Sequence, residues 1–351
     1  MQYFINNIEV NFEKSNNEKW NKLIFNEARR QLDGFKNKVE TIEYKIKVTD
    51  ISTIDLNQLF EKAQVVPGAY SYFRNSTEEY FYINRNKSLL KITQDELTLY
   101  TTENLVYSIP FLINILLIKD DKIFVHSAAF SYKNDGFLFC AFGGIGKTAL
   151  LAETRFNTEI KILGDDVNIV SATGELFPYY RPFCIYEYHK QLFSNYFEEN
   201  KVIIPQATTK NRIIRKLKKY IGIYDLRDYD FATIAPHKLF GEEKLCGRSI
   251  NLKNIYVMVR ENGINEMKIS KINSQEATDF ALSVMQSEFN EYYRDVFSYF
   301  SLSGNSFTDY IGKYKTILEK GFYDKNVYKI RIPMNYDIKS VGPDVLKEII
   351  V

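Results

Sequence analysis

Residues 137–148 read Phe-Leu-Phe-Cys-Ala-Phe-Gly-Gly-Ile-Gly-Lys-Thr, and they constrain the fold more than any other stretch of the chain. An apolar run with the character of a buried strand ends in a glycine cluster; Lys147 and Thr148 follow, and then the helix-like residues 149–153. Glycines let backbone N–H groups turn inward around an anion, and the N-terminus of the following helix adds the positive end of its dipole. A lysine in that position neutralises outer phosphates, and a hydroxyl beside it can hold Mg²⁺. The order of strand, glycine turn, Gly-Lys-Thr and helix therefore predicts a phosphate-binding loop built from Gly143, Gly144, Ile145, Gly146, Lys147 and Thr148. Where the usual G-x-x-x-x-G-K-[ST] pattern opens on glycine this chain has Ala141, so the backbone freedom is expected from Gly143 and Gly144.

Two neighbouring segments bear on the same chemistry. Residues 159–166, Glu-Ile-Lys-Ile-Leu-Gly-Asp-Asp, read as a short apolar strand ending in two carboxylates. Successive strand residues point to opposite faces, but at a strand end Asp165 and Asp166 can both fan toward a phosphate site. Phosphoryl transfer uses one carboxylate to hold Mg²⁺ and often another to orient or deprotonate the nucleophile. Upstream, residues 123–130 read as a strand and Asn134-Asp135-Gly136 as a hairpin turn. A turn centred on 134–135 sets His126 opposite Gly143, and one centred on 135–136 sets it opposite Ile145; both registers bring the imidazole to the loop. The hairpin also makes the strand before the loop the second arm of an antiparallel pair. A mixed, largely antiparallel sheet carrying a phosphate loop is expected, rather than a parallel βαβ sheet.

With Val125-His-Ser-Ala-Ala-Phe130, Ala141-Phe-Gly-Gly-Ile-Gly-Lys-Thr148 and Ile162-Leu-Gly-Asp-Asp166 in this order, the chain resembles the HPr kinase/phosphorylase family. The likeness is greater to that family's shorter members encoded with ribosomal peptide-modifying systems, and it covers roughly residues 105–270. It implies a core related to that of phosphoenolpyruvate carboxykinase, ATP and Mg²⁺ as cofactors, and transfer to a serine or other hydroxyl of a peptide or small protein. Carried onto this sequence, the backbone of residues 143–146 with Lys147 would bind the β- and γ-phosphates. Thr148 and Asp166 would hold Mg²⁺, Asp165 would accept the hydroxyl proton, and His126 would position phosphate. The glycine-rich signature that HPr kinases carry after the aspartate pair has no counterpart here, so HPr itself is not implied as the acceptor. Hexameric HPr kinases make a homo-oligomer possible. Outside the resemblance, two other classes fit the motifs: a nucleotide-binding regulator with little catalysis, and a small-molecule kinase.

The remaining sequence supplies the frame. A length of 351 residues with 45% hydrophobic content allows more than one domain and a sizeable core. The reading is an α+β (or α/β) chain with an N-terminal α+β unit over 1–104, the nucleotide-binding core over 105–272 and C-terminal helices over 273–351. Helical spacing marks 20–35 with Gly34 as a stop, 274–299 as a single helix, and 307–320 with Gly321 as a C-cap; 327–332 reads as the last strand. Net charge of +2 argues against general affinity for nucleic acid or anionic membrane. The basic run 210–219 reads as an amphipathic helix with a solvated basic face, with docking of an acidic peptide or of phosphate as the other reading. Arg181 could reach a phosphate, with a surface role preferred, and Arg248 or Arg260 could stabilise charge on a transferred phosphoryl group, with neither singled out. The apolar run 105–118 is shorter than the roughly 20 residues a membrane span needs. Met1-Gln-Tyr-Phe-Ile has no basic segment of a signal peptide, and Cys140, Cys184 and Cys246 lack disulfide or metal spacing. A reducing cytoplasm is the expected setting.

Overall fold

A computed structural model describes residues 1–35, 41–102, 108–201, 204 and 231–350. The basic run 210–219 lies outside the described residues. The chain is of mixed α and β structure and divides into two compact units. The first holds the described residues up to Leu116 together with Asn290–Ile311; the second holds those of Leu117–Gln206, Asp230–Phe289 and Gly312–Val351. The C-terminal helical segment is thus shared between the two.

The first unit is built on eight strands: β1 (Gln2–Ile5), β2 (Ile8–Phe12), β3 (Tyr44–Asp50), β4 (Gln64–Val66), β5 (Tyr70–Arg74), β6 (Glu79–Ile83), β7 (Ser88–Ile92) and β8 (Glu96–Thr101). They form one sheet in the order β1-β2-β3-β8-β7-β6-β5-β4, with β2, β3 and β8 parallel. A parallel step needs a crossover, and the helix Glu18–Leu32 supplies it. Its buried Trp20, Ile24, Ala28 and Leu32 recur at helical spacing, and Asn17 caps it by accepting the Trp20 N–H at 3.1 Å. The helix ends before Gly34, at Asp33. The helix Asn290–Ser303 joins this unit through Asp295, which accepts hydrogen bonds from Arg85 at 2.6 Å and Tyr70 at 3.0 Å.

The second unit adds β9 (Lys122–Val125), β10 (Ser127–Tyr132), β11 (Asp135–Cys140), β12 (Ile160–Gly164), β13 (Asn168–Ser171), β14 (Glu175–Phe177), β15 (Phe183–Tyr186), β16 (Phe231–Ile234), β17 (Ile250–Glu261), β18 (Lys268–Lys271) and β19 (Asn326–Pro333). Apart from the β15–β16 pair they make a nine-stranded mixed sheet in the path β12-β10-β11-β17-β14-β13-β9, with β19 on β17 and β18 on β19. Only β11–β17 and β17–β19 are parallel among the described pairs of this sheet. The hairpin before the loop is present, but its turn is Lys133-Asn134, both in left-handed conformation (φ 50° and 66°), as a two-residue primed turn requires. Asn134-Asp135 and Asp135-Gly136 are therefore not the turn centre. Ser127 pairs with Cys140, so continuing the register one residue sets His126 level with Ala141.

One face of this sheet carries a ladder of rings across four strands. Phe130 and Phe139 stack at 5.3 Å, Phe139 and Tyr256 at 4.9 Å, and Tyr256 and Tyr328 at 5.4 Å. Each such pair contributes about 0.5–1.5 kcal/mol beyond its buried area. On the same core lies the helix Lys147–Thr154, whose Ala149, Leu150, Leu151 and Ala152 are all buried. A helix apolar on every side needs cover, and Ile338–Ile349 provides it with Val341 and Val345. The sequence reading expects helices over 273–351 but assigns none to this stretch, whose helix holds Gly342 and Pro343. Gly342 is there for close approach: a Cβ on it would lie 2.6 Å from the Ala149 carbonyl oxygen. Gly342→Ala is expected to lower stability by about 1–2 kcal/mol, since overpacking exceeds the gain in helix propensity; the denaturant midpoint measures it. Gly321 is likewise no C-cap; it lies within the helix Phe307–Phe322, where a Cβ would come 2.6 Å from the Ser171 carbonyl oxygen. Among the described residues no helix is long and apolar enough to cross a membrane.

Candidate functional site

The chain leaves β11 at Cys140, turns through residues 141–146 and enters the helix Lys147–Thr154. Left-handed backbone falls on Gly144 (φ 76°) and Gly146 (φ 125°), not on Ala141 or Gly143. Ala141 is instead fully buried in the core, which explains why a methyl group is compatible with this loop. Gly146 has no replacement: a Cβ would be strained at that φ and 2.9 Å from Val341 Cγ1. Gly146 is also the helix N-cap and has no side chain to bond the first turn. Buried Cys140 fills the strand end, its thiol pushed up to about 12 by burial.

Lys147 is 7% exposed and donates to the carbonyl oxygens of Ala141 at 2.8 Å and Phe142 at 3.1 Å. Burial pushes its ammonium down, opposed by the charges of Asp166, Asp165 and Glu288. An anion already lies on the loop: the Gly143 N–H donates to the Glu288 carboxylate at 2.7 Å. The amide is thus turned outward, as phosphate binding requires.

The carboxylate pair follows β12. Asp166 adopts left-handed backbone (φ 70°), and this separates the two side chains. Asp165 turns to the loop helix and accepts the Thr148 hydroxyl at 2.7 Å. Its other oxygen, Oδ1, is buried with no hydrogen-bond partner among the described residues. Burial raises the Asp165 carboxyl, against the Thr148 hydrogen bond and the Lys147 charge. Asp166 turns the other way, to His126 Nε2 at 3.0 Å and Arg181 at 2.6 Å. Partial desolvation opposes ionisation of this carboxyl, but the His126 hydrogen bond and the Arg181 charge outweigh it and hold Asp166 well below the carboxylate range. With 44% of its side chain exposed, Asp166 presents its charge to solvent.

His126 sits at the break between β9 and β10, 3% exposed, with the Phe289 ring edge-on at 5.8 Å. The backbone beside it is fixed by Ser127 N–H donating to the Asp166 carbonyl at 3.2 Å and Asn168 donating to the Ser127 carbonyl at 2.8 Å. All nine residues expected at the site therefore lie on the loop, its helix or the two strand ends that flank it.

Arg181, for which a surface role was preferred over a phosphate contact, reaches Asp166 because Tyr179 N–H bonds the Leu163 carbonyl at 2.9 Å, laying residues 179–181 along the end of β12. One contributor was not foreseen. Glu288 comes from the end of the helix Ser274–Glu288, far away in sequence, with no local motif to announce it. Arg248 and Arg260 are engaged elsewhere, with Asn134 and with the carbonyls of Pro333 and Tyr336. Burial and then the Asp165 charge push up the phenol of Tyr188, which stacks on Tyr186 at 5.5 Å.

Among the described residues no group of three or more His, Cys, Asp and Glu is arranged to hold a metal ion. Mg²⁺ seldom takes such a cage; it keeps waters and binds through one or two carboxylates and substrate phosphates. Thr148, which donates its proton to Asp165 and keeps its lone pairs, and ionised Asp166 fit that mode. No protein-family model matches the chain, and no curated protein sequence matches it.

Proposed function

We propose that the chain is an ATP- and Mg²⁺-dependent kinase that transfers the γ-phosphoryl group to a hydroxyl of a peptide or small protein in the cytoplasm, by a core of the HPr kinase type. The observation that carries this reading is the pair of adjacent carboxylates driven apart. Asp165 is buried against Thr148 and raised, while Asp166 is held ionised by His126 and Arg181. Two titratable groups pushed in opposite directions mark an acid/base assignment.

The roles follow from the contacts. Gly143, Gly144, Ile145 and Gly146 supply backbone N–H groups to the phosphates, and Lys147 adds charge from a buried position. Mg²⁺, held by Thr148 Oγ1 and Asp166, would neutralise phosphate charge when bound. The acceptor oxygen forms its bond to the γ-phosphorus as the bond to the bridging oxygen breaks and ADP departs. The acceptor proton passes to the Asp165 carboxylate, an effect worth about 10²–10⁴-fold. His126 and Arg181 hold Asp166 in place, and the Arg181 guanidinium adds positive charge beside the transferred group.

The test is incubation with γ-labelled ATP, Mg²⁺ and hydroxyl-bearing peptides or small proteins. Label on an acceptor is the expected result. ATP binding with no labelled acceptor, protein or small molecule, would instead make the chain a nucleotide-binding regulator.

A further inference from the structure

The helix Ser274–Glu288 meets the phosphate loop at two points. Phe280 packs edge-on against Phe142 at 5.8 Å, and Glu288, at the C-terminal end, accepts the Gly143 N–H at 2.7 Å. The next residue, Phe289, lies on His126. A carboxylate in the last turn of a helix faces the negative end of the helix dipole, and this helix has no basic residue there to offset it. Glu288 is therefore unfavourably placed for its own helix, and the favourable partner it has is the loop amide. Its charge also acts on Lys147. The side chain is solvent-exposed, so an incoming anion can reach and replace it.

We propose that Glu288 is a built-in anionic occupant of the phosphate loop, which nucleotide phosphate must displace from the Gly143 N–H before it can bind. The inference rests on the nucleotide-binding reading of the loop and adds its regulation: the chain carries its own competitor for phosphate. A carboxylate and a phosphate oxygen cannot both accept this one N–H, and their like charges exclude joint occupancy near Lys147. Whatever draws the helix end away from the loop would raise nucleotide affinity.

Glu288→Gln tests this without removing the contact, because the side-chain amide oxygen still accepts the Gly143 N–H and only the charge is lost. Calorimetric titration of the full chain with inorganic tripolyphosphate and with ATP is the measurement. The variant is expected to bind both about three- to tenfold more tightly than the native chain, since a charge-assisted bond is roughly twice as strong as a neutral one. Equal or weaker binding by Glu288→Gln overturns the inference and leaves the nucleotide reading standing. No binding of either probe by either protein overturns the nucleotide reading, and this inference with it.

Discussion

Asp165→Asn is expected to bind ATP as the native chain does and to transfer phosphate about 10²–10⁴-fold more slowly. The substitution preserves shape: the side-chain oxygen of Asn still accepts the Thr148 hydroxyl that Asp165 accepts at 2.7 Å. Nothing that would grip the nucleotide is touched, because loop amides, Lys147 and Thr148 all remain. What is lost is a proton acceptor. Asp165 is 6% exposed and its carboxyl is raised by burial, so it takes a proton more readily than an ordinary carboxylate. Asp166, held low behind His126 and Arg181, is a poor base and cannot substitute. The Kd for ATP and the single-turnover transfer rate, measured separately, check both halves. Full transfer by Asp165→Asn would remove Asp165 from the mechanism.

The site was legible in sequence wherever its geometry is local. Gly-Lys-Thr on a strand-to-helix turn depends on residues within a few positions of one another, and so does an aspartate pair at the end of a short apolar strand. The mixed α and β character of the chain was legible for the same reason, from periodicity. The register of His126 was less so. The hairpin turns on Lys133-Asn134, and lysine in left-handed backbone is not a residue one expects where Asp-Gly stands two positions away. The result survived because any of these turns places His126 within reach of the loop. Gly321 was misread as a C-cap because tertiary approach, not local conformation, demands it. Gly321 and Gly342 sit inside helices because the Ser171 and Ala149 carbonyl oxygens leave no room for a Cβ. The run 274–299, read as one helix, breaks at Phe289, where the backbone (φ −110°, ψ 37°) leaves helical geometry. That break is also where Glu288 and Phe289 meet the site, a contact between distant segments that periodicity does not encode. Arg181 shows the same limit: its reach to Asp166 depends on how residues 179–181 lie along β12.

Lys147→Met is expected to weaken ATP binding on the order of 100-fold and to abolish detectable transfer, with the fold retained. Methionine approximates the volume of the lysine stem, so the packing around a residue that is 7% exposed is largely kept. Two carbonyl oxygens, of Ala141 and Phe142, lose their donor, at a cost of about 1–3 kcal/mol if water does not replace it. That stability loss is separable from the functional one, because it appears in the denaturant midpoint of the ligand-free protein. The binding loss has another origin. Removing one member of a buried, hydrogen-bonded charge pair costs 2–5 kcal/mol or more at comparable interfaces, and the lower half of that range gives the stated effect. Burial strengthens the interaction: the same desolvation that pushes the Lys147 ammonium down places it in a low-dielectric position, where its attraction for phosphate is least screened. The charges of Asp166, Asp165 and Glu288 oppose that desolvation, and phosphate arriving at Gly143 would add to the same field. Unchanged ATP affinity in a folded Lys147→Met would mean that the lysine serves only to tie residues 141 and 142 to the helix, and that the loop is a structural turn.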